Sequence, residues 1–219
     1  DDGIMDGDEV RTDPADSAKP LVDRSLQLSG TMTDYIMWPK VRQLAMPEWT
    51  IEAWVHASNL TADAEIICRE VEDSVFNYRL SVDTSGVVEL RFTAADRSSD
   101  VVLPSTRSIA AGEWVHVRGV FDETLGKMWL EFDGVPAGEM FTSDRPAYSG
   151  VGPHLTSAGR GLDGYLDEIR LWSGPVAGSA SNVLSGTETG LVSYLRFDDG
   201  TSTNTSAMAD WSWGQVEDY

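Results

Sequence analysis

Trp114-Val115-His116-Val117-Arg118-Gly119-Val120-Phe121 passes through Asp122-Glu123-Thr124-Leu125-Gly126 into Lys127-Met128-Trp129-Leu130-Glu131-Phe132, and Asp133-Gly134 follows. Asp-Gly after such a stretch is one of the stronger hairpin signals a sequence carries, because a two-residue turn needs backbone angles that glycine and aspartate tolerate. The passage therefore reads as strand, turn, strand, turn. The same pattern extends outward. Upstream, Trp49-Thr50-Ile51-Glu52-Ala53-Trp54-Val55 alternates, as does Tyr78-Arg79-Leu80-Ser81-Val82 before Asp83-Thr84-Ser85-Gly86, and residues 87–92 form the next strand. Downstream, residues 164–172 and 191–197 read as further strands. Short apolar stretches alternate with turn residues from Leu21 to Phe197, without a helical stripe. Many short strands at near-even spacing predict an all-β antiparallel sandwich (jelly roll) rather than a βαβ fold.

Around that core the composition sets limits. The 219 residues contain 16 Lys+Arg against 36 Asp+Glu, a formal charge of −20. A phosphate backbone repels so acidic a chain, which argues against nucleic acid and favours Ca²⁺ or cationic partners. No apolar run approaches the roughly 18 residues of a membrane helix, so membrane insertion is not expected. Asp1-Asp2-Gly3 has neither a basic nor an apolar leader character, so any signal peptide has been removed or lies upstream. Cys68 is the single cysteine, which excludes an intrachain disulfide and a thiolate zinc site; it reads as a small apolar strand residue. Three segments are expected: an irregular acidic lead-in (1–20), the sandwich (21–198), and a polar linker or lead-in to a following domain (199–219), all cut from a longer protein.

The acidic start carries a spacing. An EF-hand-type loop places oxygen ligands at positions 1, 3, 5, 9 and 12, with glycine at 6 and a backbone carbonyl at 7. With Asp2 at position 5, Gly3 is the glycine, Ile4 offers the carbonyl, and Asp6 and Glu9 supply the later ligands. A hard cation wants several hard oxygens, and the glycine lets the chain turn sharply enough to aim them. Asp6-Gly7-Asp8-Glu9-Val10-Arg11-Thr12-Asp13-Pro14 resembles the thrombospondin type 3-like calcium repeats of bacterial surface and secreted proteins. The alternative is a solvated acidic linker.

The long β region resembles the laminin G-like, concanavalin-type jelly rolls of the pentraxin-related branch. The blocks that carry the likeness are Ser25-Leu26-Gln27-Leu28-Ser29-Gly30, Asp34-Tyr35-Ile36, residues 49–55, Gly112-Glu113-Trp114-Val115-His116-Val117, residues 129–134, and Gly164-Tyr165-Leu166-Asp167-Glu168-Ile169-Arg170-Leu171-Trp172. The resemblance implies the fold strongly and the function weakly, since lectins, adhesion modules and enzyme appendages share it. Pentraxin-type calcium sites draw on an acidic loop before the last block. Here Val151-Gly152-Pro153-His154-Leu155-Thr156-Ser157 has no acid, which argues against a double-calcium ligand site. Trp54, Trp114, Trp129 and Trp172 lie within strands and are expected to pack in the core. Strict alternation would place Asp167 on one face with Tyr165, Ile169 and Leu171, where a buried carboxylate needs backbone N–H groups or Ca²⁺, with Asp34 as a possible co-ligand.

Catalysis is not expected. Glycoside hydrolases need two flanking carboxylates, and neither the usual Glu-x-Asp-x-x-Glu triplet nor a nucleophile-elbow, zincin or phosphate-loop motif occurs. His56, His116 and His154 are scattered singly. The expected function is non-catalytic binding or adhesion outside the cell, on a surface or secreted bacterial protein, calcium-dependent and directed at carbohydrate. Trp38, Tyr148, Trp211 and Trp213, in loop-like contexts, are the candidate stacking rings; Asp2, Ile4, Asp6, Glu9, Asp34 and Asp167 are the candidate Ca²⁺ ligands. The expected partners are a glycan or cell-surface protein and neighbouring domains of the same chain. A structural spacer making protein contacts only, and a polysaccharide-targeting appendage of an enzyme, are the competing expectations.

Overall fold

The computed structural model describes residues 25–148, 155–177, 184–197 and 212–213. In chain order the strands are β1 (Leu26–Ser29), β2 (Ile36–Met37), β3 (Trp49–Ala57), β4 (Ala64–Glu72), β5 (Val75–Val82), β6 (Val87–Thr93) and β7 (Asp100–Ser108). They continue with β8 (Trp114–Asp122), β9 (Lys127–Phe132), β10 (Val135–Phe141), β11 (Leu155–Ala158), β12 (Asp163–Ser173), β13 (Leu191–Leu195) and β14 (Ser212–Trp213). An eight-stranded sheet runs β10-β9-β8-β3-β12-β13-β14, with β1 also paired to β12. A six-stranded sheet runs β2-β11-β4-β5-β6-β7. The pairings are antiparallel, and the two sheets stack as a sandwich, as the strand spacing predicts.

Residue parity decides which side of each strand is buried. On β3 the odd residues Trp49, Ile51, Ala53, Val55 and Ala57 enter the core, and on β9 the even residues Met128, Leu130 and Phe132 do. They meet Ile66, Tyr78, Leu80, Leu90 and Phe92 of the opposite sheet. The Trp49 ring lies 5.8 Å from Tyr78 and 6.0 Å from Phe121, an aromatic centre that ties both sheets together. Gly119 is small for a packing reason: a Cβ there would come within 2.5 Å of Leu90 Cδ1 across the interface. The Asp133-Gly134 turn has positive φ at both residues, 51° and 73°, as the hairpin reading requires.

One expectation is corrected. Alternation along β12 is broken by a bulge between Asp167 and Arg170, with Glu168 at φ 49°. Leu166 and Ile169 both reach the core, while Asp167, paired with Trp54, shares the opposite face with Tyr165 and Arg170. An extra residue resets the two-residue period, and nothing in a local stretch of sequence announces it. At the far end, β14 pairs Ser212 and Trp213 with Tyr194 and Ser193. This pairing adds a two-residue strand to the sheet edge, too short to carry a periodic signal.

Candidate functional site

The outer face of the eight-stranded sheet, turned away from the core, carries the residues of opposite parity, ordered in transverse rungs two residues apart. Tyr165, His56 and Trp114 are direct cross-strand partners on β12, β3 and β8. Their rings sit 5.5 Å (Tyr165–His56), 5.4 Å (His56–Trp114) and 6.4 Å (Trp114–Tyr165) apart, and Trp114 is 43% exposed. Asp167, Trp54 and His116 form the next rung, with Trp54 and His116 rings 5.4 Å apart. Tyr194, Arg170, Glu52, Arg118 and Glu131 form the third, spanning β13, β12, β3, β8 and β9.

The third rung is ionic and buried. Glu52, at 1% exposure, lies 3.7 Å from both Arg118 Nε and Arg170 Nη1, and its Oε1 accepts the Trp172 indole N–H at 3.0 Å. Arg118 donates to Glu131 at 2.6 Å, and Glu131 also accepts the Trp129 indole N–H at 3.1 Å. Glu168 accepts from Arg170 and from the Tyr194 hydroxyl, each at 2.5 Å. Burial raises the Glu52 carboxyl against the pull of Arg170, Trp172 and Arg118. Burial, with the Arg170 and Arg118 charges, lowers His116 to about 4, so its imidazole is neutral at physiological pH. Its Nε2 stands 3.5 Å from Glu52 Oε2.

Among the described residues, one end of this face is covered and the other is open. Thr50 donates to the Gly174 carbonyl at 2.9 Å and accepts from Val176 N at 3.2 Å, while Val176 and Leu184 pack on Trp172, Leu191 and Tyr194. Gly174, Val176 and Leu184, between β12 and β13, thus cover the Trp172 end. The Tyr165–His56–Trp114 rung lies at the opposite end. Beyond it, at the tip of the sandwich, a polar cavity of about 200 Å³ is lined by residues including Ser29, Asn59, Thr61 and Asp163. Asn59 there donates to Asp163 and accepts from the Thr61 hydroxyl at 2.8 Å.

Of the residues singled out from sequence, Trp38 is corrected. It is 2% exposed, packed in the core, and its indole N–H donates to Ser193 Oγ at 2.8 Å, so it presents no stacking surface. Tyr148 is exposed, at 46%. Trp213 is placed on β14 by its backbone pairing. Asp2, Ile4, Asp6, Glu9 and Trp211 lie outside the described residues. Asp34 Oδ2 accepts from Ser29 N at 2.8 Å, and Asp167 Oδ1 accepts from Glu168 N at 2.8 Å, a bond that holds the bulge. Asp34 and Asp167 are not brought together as ligands: among the described residues, no group of three or more His, Cys, Asp or Glu could hold a metal ion. Trp54, Trp114 and Trp129, expected in the core, lie on the outer face; Trp172, on the same side of the sheet, is buried in a second cluster with Leu191 and Tyr194. The missed signal was parity, for each shares it with charged neighbours such as Glu52, Arg118 and Glu131.

A two-sheet jelly roll of this kind is an architecture that lectin domains share. A family model described as the concanavalin A-like lectin/glucanases superfamily matches residues 29–180, and the chain belongs to that family. A comparison with curated proteins finds no match. Among solved structures, the chain is similar to a protein from Bacteroides ovatus ATCC 8483 (14% identity, TM-score 0.56, covering 82% of this chain and 51% of that one). It is also similar to domain 4 of AbnA, a GH43 extracellular arabinanase from Geobacillus stearothermophilus, in complex with arabinotriose (17%, TM-score 0.55, 70% and 72%). A third is the CBM40 of the Ruminococcus gnavus IT-sialidase bound to α2,3 sialyllactose (10%, TM-score 0.54, 61% and 80%). At these identities the likeness establishes the fold. The chain spans about half the length of the Bacteroides protein.

Proposed function

We propose that the domain is a non-catalytic glycan-binding module and that its contact surface is the Tyr165–His56–Trp114 rung with Trp54 beside it. The observation that carries the reading is the exposure of Trp114, 43%, at the open end of a row of rings held across three strands. A pyranose or furanose presents an apolar C–H face and a rim of hydroxyls. A fixed ring gains by covering the first, while neighbouring polar groups answer the second. Rigid strands hold these rings without the ordering cost that a mobile loop would impose. The likeness to carbohydrate-binding modules supports the same reading.

The carboxylates of the ionic rung are committed to arginines, which favours binding over hydrolysis. Glu131 and Glu168 are committed to Arg118 and Arg170, and Glu52 lies between both arginines beneath the surface, whereas glycoside hydrolysis needs two carboxyl groups flanking an accessible bond. Ca²⁺ in this reading belongs to the acidic lead-in, where Asp2, Ile4, Asp6 and Glu9 carry the ligand spacing, and the setting is outside the cell. A second reading, a polysaccharide-targeting appendage of an enzyme, draws on the likeness to the arabinanase domain.

A glycan array probed with and without chelator tests the proposal. The expected result is binding to a defined saccharide set that survives chelation and is lost in Trp114→Ala. Silence across a broad array, or binding that Trp114→Ala leaves untouched, overturns it.

A further inference from the structure

We infer that the outer face selects uncharged saccharides and rejects acidic ones; this rests on the glycan-binding reading and names the ligand class of the same site. The strands of the eight-stranded sheet contain seven carboxylate side chains and only three cationic ones, Arg118, Lys127 and Arg170. Each of the three is taken. Arg118 bonds Glu131 at 2.6 Å, Arg170 bonds Glu168 at 2.5 Å, and Lys127 pairs with Glu139 at 2.7 Å. The two guanidinium side chains are only 5% and 3% exposed, beneath the level of the rings.

Recognition of a sugar carboxylate is normally built from an arginine fork that an incoming anion can reach. To reach Arg118 or Arg170, an acidic sugar would have to displace a resident carboxylate and leave it buried beside the newcomer, which costs more than the new pair returns. The rim of the ring row adds to this. Glu113 and Asp133 are exposed beside Trp114 and His116, and Asp163 stands two residues before Tyr165. Arg107, the arginine that reaches the Asp133-Gly134 hairpin from the other sheet, turns its Nη2 to the Phe132 and Val135 carbonyls at 2.6 and 3.3 Å. The whole chain, at −20, repels a polyanion before contact. Among the described residues, the strands that carry the rings offer no reachable cation, so the row stacks a neutral sugar and offers an acidic one nothing in exchange.

The expected behaviour is binding that is indifferent to salt. Affinity electrophoresis through gels holding neutral polymers (arabinan, xylan, mixed-linkage glucan) or polygalacturonate, with sialyllactose titrated separately, is run on the chain and on Trp114→Ala. Salt is raised from about 20 mM to about 500 mM, which shortens the screening length from roughly 20 Å to roughly 4 Å. Retardation by a neutral polymer, changed less than about twofold by salt and abolished in Trp114→Ala, supports the inference. Preferential binding of polygalacturonate or sialyllactose that Trp114→Ala abolishes overturns it while leaving the glycan-binding reading in place. Binding to none of these probes, or binding insensitive to Trp114→Ala, overturns both.

Discussion

Trp38 and Trp114 show how differently one residue type can serve in one fold. Trp38 fills the core and spends its indole N–H on Ser193. Trp114 leaves much of its ring in solvent at a strand start. Truncating a buried tryptophan leaves a cavity and an unpaired hydroxyl, so Trp38→Ala should lose about 3–5 kcal/mol of stability in equilibrium urea unfolding. Trp114→Ala should lose less than about 1 kcal/mol while removing saccharide binding. Equal losses would place the two rings in equivalent surroundings and contradict the assignment. From sequence the two roles looked reversed, because a loop-like context suggested exposure and a strand context suggested burial. Context was the weaker guide. Trp38 sits next to a two-residue strand, and its backbone N–H bonds the Thr156 carbonyl, a tether no local motif reveals.

At the level of elements, the ionic rung binds five strands through side chains laid across them. Removing Glu52 leaves Arg118 and Arg170 buried without their shared partner, and Glu52→Ala should destabilise by about 3–5 kcal/mol. His116 adds a pH dependence. Its folded-state value is held to about 4 by burial and the two arginines. The unfolded chain therefore takes up a proton from about pH 6.5 downward that the folded chain refuses until about pH 4, so stability is lost as pH falls through that window. Glu52, raised by burial, acts in the opposite sense and softens the loss. The measurable consequence is a smaller stability difference between pH 7 and pH 5 in His116→Gln than in the parent; an unchanged difference would show that His116 is not the sensor. Strands were the most legible part of this chain, because Trp49–Ala57 or Lys127–Phe132 carry an unbroken two-residue period. The β12 bulge was not legible, since its determinants are a positive φ at Glu168 and a carboxylate cap from Asp167, each a single residue. Missing it placed Asp167 beside Ile169 and Leu171 on the core face; the carboxylate is buried on the other face, and a backbone N–H, that of Glu168, answers it.

For the whole molecule, charge and shape act together. Thirty-six acids against sixteen bases put self-repulsion into any compact state, so the melting temperature should climb by several degrees as NaCl screens it from a Debye length of about 30 Å to about 3 Å. A flat response would mean the acidic groups lie too far apart to matter. The sandwich encloses one main core, and Gly174, Val176 and Leu184 cover one end of its eight-stranded sheet, so that among the described residues the aromatic end is the accessible part of that face. The most direct test of that arrangement is the set of indole N–H signals in a ¹⁵N-correlated NMR spectrum, assigned by substitution and followed as a bound neutral oligosaccharide is added. The account predicts that the Trp114 signal, and to a lesser extent that of Trp54, moves with saturable dependence on ligand while those of Trp38 and Trp49 stay fixed. Saturable shifts confined to other regions, with Trp114 unmoved, would contradict it.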